Sequence, residues 1–273
     1  MKFDFLLHSF YMNYSLNGEI QMKILAVAAL SLTLAASSAY ADDFSINLDK
    51  GLSGNVTGMT DYVQRGISQT YGQRINAKLG HSSDHSMNTT MFPAVGAGAS
   101  YTLGNGLFAG VSGINSNQGN NSFENDVTVG WKTAITSNIL YQFSVNYQNY
   151  PGSSNYNNLS TVEFQNIVNY VQPWGKLVGA FAVQPQGQNH SGGYTYTTVG
   201  VDLNLPNKFV GTTRVGYNTY SNHSSKPNYV DWTVGVSRPI ATNVSAGIQY
   251  TGSTDYVELG NGNRIVGMVS VSF

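Results

Sequence analysis

The sequence predicts an all-β protein, a transmembrane antiparallel up-and-down β-barrel of about 12 strands. Its charge content and hydropathy are the first reason. Only 10% of the 273 residues are charged and 41% are hydrophobic, whereas soluble globular proteins carry roughly 25% charged residues. The mean hydropathy of −0.18 is too low for a helical membrane protein. Both values are expected when apolar and neutral polar residues alternate along strands that face lipid on one side and water on the other.

Alternation with a period of two is the second reason, and no convincing amphipathic helix accompanies it. In residues 139–148, for example, Ile, Tyr, Phe, Val and Tyr alternate with Leu, Gln, Ser, Asn and Gln. Most of the predicted strands approach the roughly 9–11 residues that a tilted strand needs to cross a bilayer. The twelve strands are predicted near 52–65, 94–103, 107–114, 123–133, 139–148, 160–170, 176–184, 194–205, 208–218, 229–237, 243–251 and 263–273.

Loop length is the third reason, because short and long connections alternate strictly. The short connections are 104–106, 134–138, 171–175, 206–207 and 238–242; the long ones are 66–93, 115–122, 149–159, 185–193, 219–228 and 252–262. Outer-membrane barrels have short periplasmic turns and longer extracellular loops. A soluble β-sandwich, the main alternative, has no reason to alternate loop length and normally carries more surface charge. With an even number of strands, both ends of the barrel are expected on the periplasmic side.

The first forty residues predict export. The apolar run 24–36 is too short for a membrane helix, which needs about 20 residues. It follows Lys23 and leads into Ala39-Tyr40-Ala41, a small-x-small cleavage site typical of a signal peptide. We therefore predict a misassigned upstream start over 1–21, a signal peptide over 22–41 cleaved after Ala41, and the barrel over 42–273. The expected location is the outer membrane of a Gram-negative bacterium.

Charged residues fall on the strand face opposite the apolar face. Because Lys or Arg at the midplane of the lipid face costs roughly 2–4 kcal/mol, this segregation identifies the charged face as the lumen. The lumen-facing charges are Asp61, Arg65, Glu124, Asp126, Lys132, Glu163, Lys176, Asp202, Lys208, Arg214, Asp231 and Arg264, and all except Lys176, Asp202 and Lys208 are our candidates for pore lining. We expect Arg65 and Arg264 close together in the outer half, facing carboxylates across the lumen.

Aromatic residues concentrate near the predicted strand ends, as in the two interfacial girdles of membrane barrels. The girdle near the turns comprises Tyr101, Trp131, Tyr170, Trp174 and Phe273, and the girdle near the long loops comprises Tyr62, Phe123, Tyr147, Tyr217, Tyr229 and Tyr250. The last strand alternates apolar residues up to Phe273. A terminal aromatic in this context resembles the signal by which barrels are handed to the assembly machinery.

Several motifs resemble the TorF-type porins, a family of Gcw_chp-like bacterial outer-membrane proteins. The N-terminal signature comprises Gly54-Asn55-Val56-Thr57, Asp61-Tyr62-Val63 and Arg65-Gly66-Ile67-Ser68-Gln69; further matches are Tyr150-Pro151-Gly152, VGVDLNLPN at 199–207 and YVDWTVGVS at 229–237. The resemblance implies an outer-membrane location and a pore, without implying a substrate. Residues 70–92 depart from the family pattern and are interpreted as an insertion.

Catalytic and metal-binding constellations are weak. His81, His85, His190 and His223 all fall in predicted outer loops, whereas a hydrolase needs a nucleophile beside a base. Metal binding at His81, Asp84 and His85 is less favoured than solvated loop residues, and cation binding by Glu124 and Asp126 is less favoured than charge balance by lumen arginines. The absence of Cys excludes a disulfide scaffold. We expect no enzyme activity, no metal and no cofactor.

The expected function is therefore that of an outer-membrane porin, with passive diffusion of small polar solutes through a narrow lumen. Barrels of eight strands are filled by side chains and those of 16–18 leave an open channel, so twelve strands predict an intermediate lumen. The alternative is a non-conducting barrel whose extracellular loops bind a partner or shield the surface. Expected partners are the lipid bilayer, the barrel assembly machinery and small polar solutes. A net charge of −1 gives no indication of nucleic-acid binding.

Overall fold

The computed structural model describes residues 46–70, 93–116, 123–151, 160–187, 192–221, 227–254 and 263–273. Twelve long strands form one sheet: β1 (Gly51–Met59), β4 (Ala94–Thr102), β5 (Leu107–Ile114), β6 (Glu124–Ala134), β7 (Ile139–Asn149), β8 (Thr161–Gln172), β9 (Gly175–Gln184), β10 (Tyr194–Asn204), β11 (Val210–Tyr220), β12 (Tyr229–Ala241), β13 (Val244–Ser253) and β14 (Arg264–Ser272). Two short strands, β2 (Val63–Gln64) and β3 (Ile67–Ser68), pair only with each other. No helix in this described part of the chain is long and apolar enough to cross a membrane.

The sheet closes into a barrel. Each long strand pairs antiparallel with its sequence neighbours, and β1 pairs with both β4 and β14. At the closing seam Val56 lies opposite Val271 on one side and opposite Ala97 on the other. The predicted closed barrel of twelve antiparallel strands is thus confirmed. Eleven of the twelve predicted strands match observed strands to within a few residues.

The two ends of the barrel differ in their connections. The turn end carries the short connections 103–106, 135–138, 173–174, 205–209 and 242–243, and we call the opposite end the loop end. Tight geometry requires glycine at two of these turns. A Cβ at Gly175 (φ +145°) would lie 1.9 Å from the carbonyl oxygen of Asp202, and one at Gly106 (φ +86°) would lie 2.0 Å from that of Lys132.

The two faces of the sheet differ as the alternation predicts. In β14, for instance, Ile265 is 52% exposed on the exterior, whereas Arg264 and Val266 are 2% and 1% exposed in the interior. Nine of the predicted girdle aromatics are exposed on the exterior: Tyr101, Trp131, Tyr170, Trp174, Phe273, Phe123, Tyr147, Tyr217 and Tyr250. The girdle assignment is wrong for Tyr62 and Tyr229, which are 3% and 4% exposed and lie inside the barrel.

The first strand is shorter than predicted. Strand β1 ends at Met59 rather than near residue 65, and the Thr60 N–H then donates to the Gly267 carbonyl. Beyond it the chain turns into the lumen as the hairpin β2–β3. Arg65 and Gly66 at its tip both have positive φ, 51° and 77°, as in the two-residue turns that suit hairpins. The alternation of residues 61–65 is genuine, but alternation alone does not show whether a strand stays in the wall.

Candidate functional site

The interior of the turn-end half is lined by small polar residues that solvent reaches. The half-buried inward side chains between mid-height and the turn end are Ser53, Ser100, Thr128, Gln142, Ser237, Ser245 and Gln249. Several are bonded across strands: the hydroxyl oxygens of Ser53 and Ser100 lie 3.0 Å apart, and the Thr128 hydroxyl donates to the Asn146 amide oxygen at 2.8 Å. These contacts hold neighbouring side chains of the lining against each other.

The loop-end half contains residues 61–70, which we call the inner hairpin. At its base Asp61 accepts hydrogen bonds from the hydroxyls of Ser68 and Thr70, both at 2.6 Å. The second carboxylate oxygen of Asp61 is 2.9 Å from the guanidinium of Arg264 on β14. We call this contact the base ion pair. Side chains of both partners are almost fully buried, at 6% and 2% exposed, so water screens their attraction little.

Apolar contacts also hold the base of the inner hairpin. Tyr62 and Val63 form one buried cluster with Met59, Ala94, Ile114 and Val266, which face inward from β1, β4, β5 and β14. The Tyr62 hydroxyl donates to Glu124 on β6 at 3.3 Å. The base is therefore attached to the wall by burial of apolar surface as well as by charge.

The tip of the inner hairpin is attached through Arg65. One guanidinium nitrogen is 2.9 Å from both carboxylate oxygens of Glu163 on β8, a contact that we call the tip ion pair. The other terminal nitrogen donates to the Tyr194 hydroxyl on β10 at 2.9 Å. The guanidinium also lies over the Tyr196 ring, 4.4 Å from its centroid. Such charge-assisted contacts are about twice as strong as neutral hydrogen bonds.

Hydrogen bonds around the tip continue along the wall. The Tyr194 hydroxyl donates to the Asn218 amide oxygen, and the Asn218 amide donates to Asp231 at 2.6 Å. The Tyr196 hydroxyl donates to Asp231 at 3.2 Å. The tip of the hairpin therefore binds a preformed polar surface on β10–β12.

Glu124 and Asp126 form no ion pair among the described residues, in contrast to Asp61, Glu163 and Asp202. They lie two positions apart on the inward face of β6, and Oε2 of Glu124 and Oδ1 of Asp126 are buried without a hydrogen-bond partner. No group of three or more His, Cys, Asp or Glu with metal-binding geometry is found in the described part of the chain. The arrangement gives this side of the lumen an acidic character.

The turn-end half carries a separate charged cluster on the wall. Asp202 on β10 lies 2.7 Å from Arg214 on β11 and 3.2 Å from Lys176 on β9. Lys132 is half-buried, 5.2 Å from the centroid of the Phe108 ring. Lys208, predicted to face the lumen, is exposed in the turn Pro206–Lys208. That prediction is wrong because the chain leaves the sheet at residue 205, before Lys208.

The predicted arrangement of charges across the lumen also needs correction. Arg65 and Arg264 do not face the acids as one group: Arg65 binds Glu163 on β8, and Arg264 binds Asp61 at the hairpin base. The charges instead differ along the barrel axis. The loop-end half contains Asp61, Glu124, Asp126, Glu163 and Asp231 with two arginines, and the turn-end half contains Lys132, Lys176 and Arg214 with one aspartate.

One interior feature was missed from the sequence. Ile46, which precedes β1, packs inside the barrel against the wall formed by β8, β9 and β10. The other members of this cluster are Ile167, Val178, Ala180, Ala182, Tyr194 and Tyr196. A partial signal was available, because the apolar Ile167 and Val178 occupy the same face as the charged Glu163 and Lys176, but nothing in the pattern identified Ile46 as the residue that covers them. His81, His85, His190 and His223 lie outside the described residues, as does the predicted insertion 70–92 apart from residue 70.

Comparison with solved structures supports the barrel architecture. The KdgM porin matches with a TM-score of 0.52 at 10% identity, covering 81% of this chain and 99% of that chain. A KdgM porin in complex with disordered oligogalacturonate matches with a TM-score of 0.52 at 8% identity, covering 81% and 98%. The NanC porin matches with a TM-score of 0.50 at 9% identity, covering 80% and 97%. At these identities the similarity concerns the fold alone.

Comparison of sequences gives the family. None of the curated proteins compared with the chain matches it. A family profile described as a bacterial protein of unknown function, Gcw_chp, matches residues 48–268, a span that includes all twelve wall strands except the last few residues of β14. The chain belongs to the Gcw_chp family of bacterial proteins.

Proposed function

We propose that the protein is an outer-membrane porin through which small polar solutes diffuse passively. Its exterior fits a bilayer: large apolar side chains are exposed around the wall, including Val199 at 62%, Val234 at 52% and Ile248 at 51%. Of the charged residues in the described strands, only Arg238 faces outward, and it lies near the turn end of β12. An arginine there can extend its charged group to the membrane surface.

The proposal includes the route to that membrane. Residues 22–41 would serve as a signal peptide cleaved after Ala41, and the terminal Phe273 would be read by the barrel assembly machinery. We also propose that the chain is a TorF-type porin and forms the pore that this resemblance implies. Short turns would then face the periplasm and long loops the exterior, as in other membrane barrels.

The observation that carries the pore proposal is the solvent-accessible polar lining of the turn-end half. Had the interior been filled by side chains, as in eight-stranded barrels, its inward Ser, Thr and Gln residues would be buried. Instead, Ser53, Ser100, Gln142 and Ser245 remain half-buried. Small neutral polar groups of this kind supply hydrogen bonds to water and to solutes without binding either tightly.

A second candidate function, a non-conducting barrel, is favoured by the packing of the loop-end half. Asn218, Glu124 and Arg264 are 0%, 1% and 2% exposed, and the inner hairpin lies among them. A barrel closed at this level would act through its extracellular loops, by binding a partner or shielding the surface.

Liposome swelling distinguishes the two functions. Protein reconstituted into liposomes should admit small sugars such as arabinose faster than larger ones such as sucrose, because the intermediate lumen should limit passage by size. The fully folded protein must be verified in the same sample by its faster gel migration before heating. A folded barrel that admits neither sugar would favour the non-conducting function.

A further inference from the structure

We propose that the inner hairpin is a partition across the loop-end half of the lumen, and that the tip ion pair of Arg65 with Glu163 sets the size of solute that passes. This inference deepens the proposed porin function and rests on it. It assigns to Arg65 the role of the residue that holds the partition against the far wall.

The order of the strands shows how far the hairpin reaches. Around the ring of twelve, starting from β1, the strand six places away in either direction is β9. The hairpin leaves the wall at the end of β1, and Arg65 binds Glu163 on β8 and Tyr194 on β10. These two strands flank β9. Arg65 is therefore attached diametrically opposite the point at which the hairpin begins.

Contacts along its sides show that the hairpin also touches the wall between these points. Tyr62 reaches Glu124 on β6. On the other side Gly66 approaches β12 and β13 so closely that a Cβ would lie 2.6 Å from the Gly252 carbonyl oxygen and 2.9 Å from the Asp231 Cβ. Only glycine fits this approach without displacing the tip.

The two ends of the hairpin are held by different forces. The base is attached by the base ion pair and by apolar packing of Tyr62 and Val63. The tip contacts of Arg65 with the far wall are polar or cation–π contacts from a single side chain. Loss of the Arg65 contacts should therefore release the tip from β8 and β10 while the base stays packed, because no apolar cluster holds the tip to β8 or β10 among the described residues. The close approach of Gly66 to β12 and β13 should then leave the hairpin against that side of the wall.

The backbone at the tip is consistent with an element held in place by its surroundings. Arg65 has φ of 51°, a conformation that non-glycine residues adopt infrequently. Residues kept in such regions depend on nearby contacts to stabilise them. The tip ion pair and the stacking on Tyr196 supply those contacts.

The first test compares Glu163→Gln with a matched variant, Asp202→Asn. Both remove one buried carboxylate from an interior ion pair, but only Glu163 contacts the inner hairpin. If the hairpin occupies about half of the cross-section, its release should raise single-channel conductance about twofold, because conductance scales with the open area of the pore. Glu163→Gln should also admit sucrose faster into liposomes, and Asp202→Asn should leave both quantities at the wild-type value. Arg65→Gln should reproduce the effect of Glu163→Gln.

The possible outcomes separate this inference from the proposed function. Conductance and sucrose entry that are equal in Glu163→Gln, Asp202→Asn and a conducting wild type would overturn the partition and leave the pore intact. A silent wild type with a conducting Glu163→Gln variant would contradict a permanently open pore and support the partition. If all folded variants are silent, both the pore and the partition fail.

A second readout does not depend on current. The chain has no Cys, so Thr128→Cys places a single thiol on the inward face of β6, on the turn-end side of Asp126. In intact cells a membrane-impermeant maleimide should label this thiol several-fold faster when Glu163→Gln is also present. Labelling at the same rate with and without Glu163→Gln would overturn the inference even if conductance had changed.

Discussion

Ile248→Lys tests the assignment of the exterior to lipid. Ile248 is the fifth of the ten residues of β13, so it lies near the middle of the strand. Its side chain is 51% exposed, and its cross-strand neighbours are Val236 and Gly267. The outward face of the described strands carries no carboxylate, so a lysine there would face lipid without a partner.

The expected magnitude follows from this depth. Lysine on the lipid face costs about 2–4 kcal/mol at the midplane and about 0–1 kcal/mol near the interfaces, and the central position selects the larger range. Since 1.4 kcal/mol corresponds to tenfold in an equilibrium constant, Ile248→Lys should lower the folding equilibrium about 30- to 700-fold. Gln249→Lys is the matched control, because Gln249 is the next residue and points to the half-buried interior. It should fold like the wild type.

Urea titration of folding into phospholipid vesicles, followed by gel migration before heating, measures both variants. The free energy of folding should fall for Ile248→Lys alone. Equal costs at 248 and 249, or a larger cost at 249, would refute the assignment of faces and with it the membrane-spanning barrel.

Two further predictions concern contacts inside the wall. In a double-mutant cycle, Arg264→Met and Asp61→Asn should each lower the free energy of unfolding by about 3–5 kcal/mol, since each leaves a buried charge without its partner. The double variant should lose clearly less than the sum of the two. Additive losses, measured by unfolding in urea, would show that the two residues of the base ion pair are not coupled. Gly175→Ala should lower the free energy of unfolding by about 1–3 kcal/mol, because Gly175 has a positive φ and an added Cβ would lie 1.9 Å from the Asp202 carbonyl oxygen. Gly179→Ala is the control, because a Cβ there has no atom within 4 Å, and its free energy of unfolding should stay within about 0.5 kcal/mol of the wild type. Equal urea midpoints for the two alanine variants would contradict the turn geometry.

The wall of the barrel could be predicted because its physics is local. A membrane-spanning barrel needs one face of every strand toward lipid and one toward the interior, and such a requirement appears in a sequence as alternation. Strand β7 is an example: the predicted 139–148 and the observed Ile139–Asn149 differ by one residue. The same alternation correctly assigned Glu124, Asp126 and Glu163 to the interior.

The inner hairpin could not be predicted by the same reasoning, because residues 61–65 alternate as a wall strand does. The Arg65-Gly66 pair lies at the end of the predicted strand 52–65, and the alternation gives no sign of the turn that the positive φ of both residues shows. The tip ion pair joins residues 98 positions apart. Such a contact depends on the ring order of the strands and on the direction of the hairpin, neither of which is expressed in any local pattern.

Ile46 shows a different limit. Its inward packing against Ile167 and Val178 buries apolar side chains that lie in an otherwise polar row. Alternation along β8 and β9 predicted which residues face inward, but it did not indicate that a segment outside the sheet packs against them.

Single-channel recording of the wild-type protein in a planar bilayer tests the central claim most directly. A twelve-stranded barrel with a polar, solvent-accessible lining and an inner hairpin should give discrete current steps, smaller than those of 16–18-stranded porins, and the steps should appear only with protein that migrates as folded before heating. Folded wild-type protein that inserts into the bilayer and passes no current at any applied voltage would contradict the porin function.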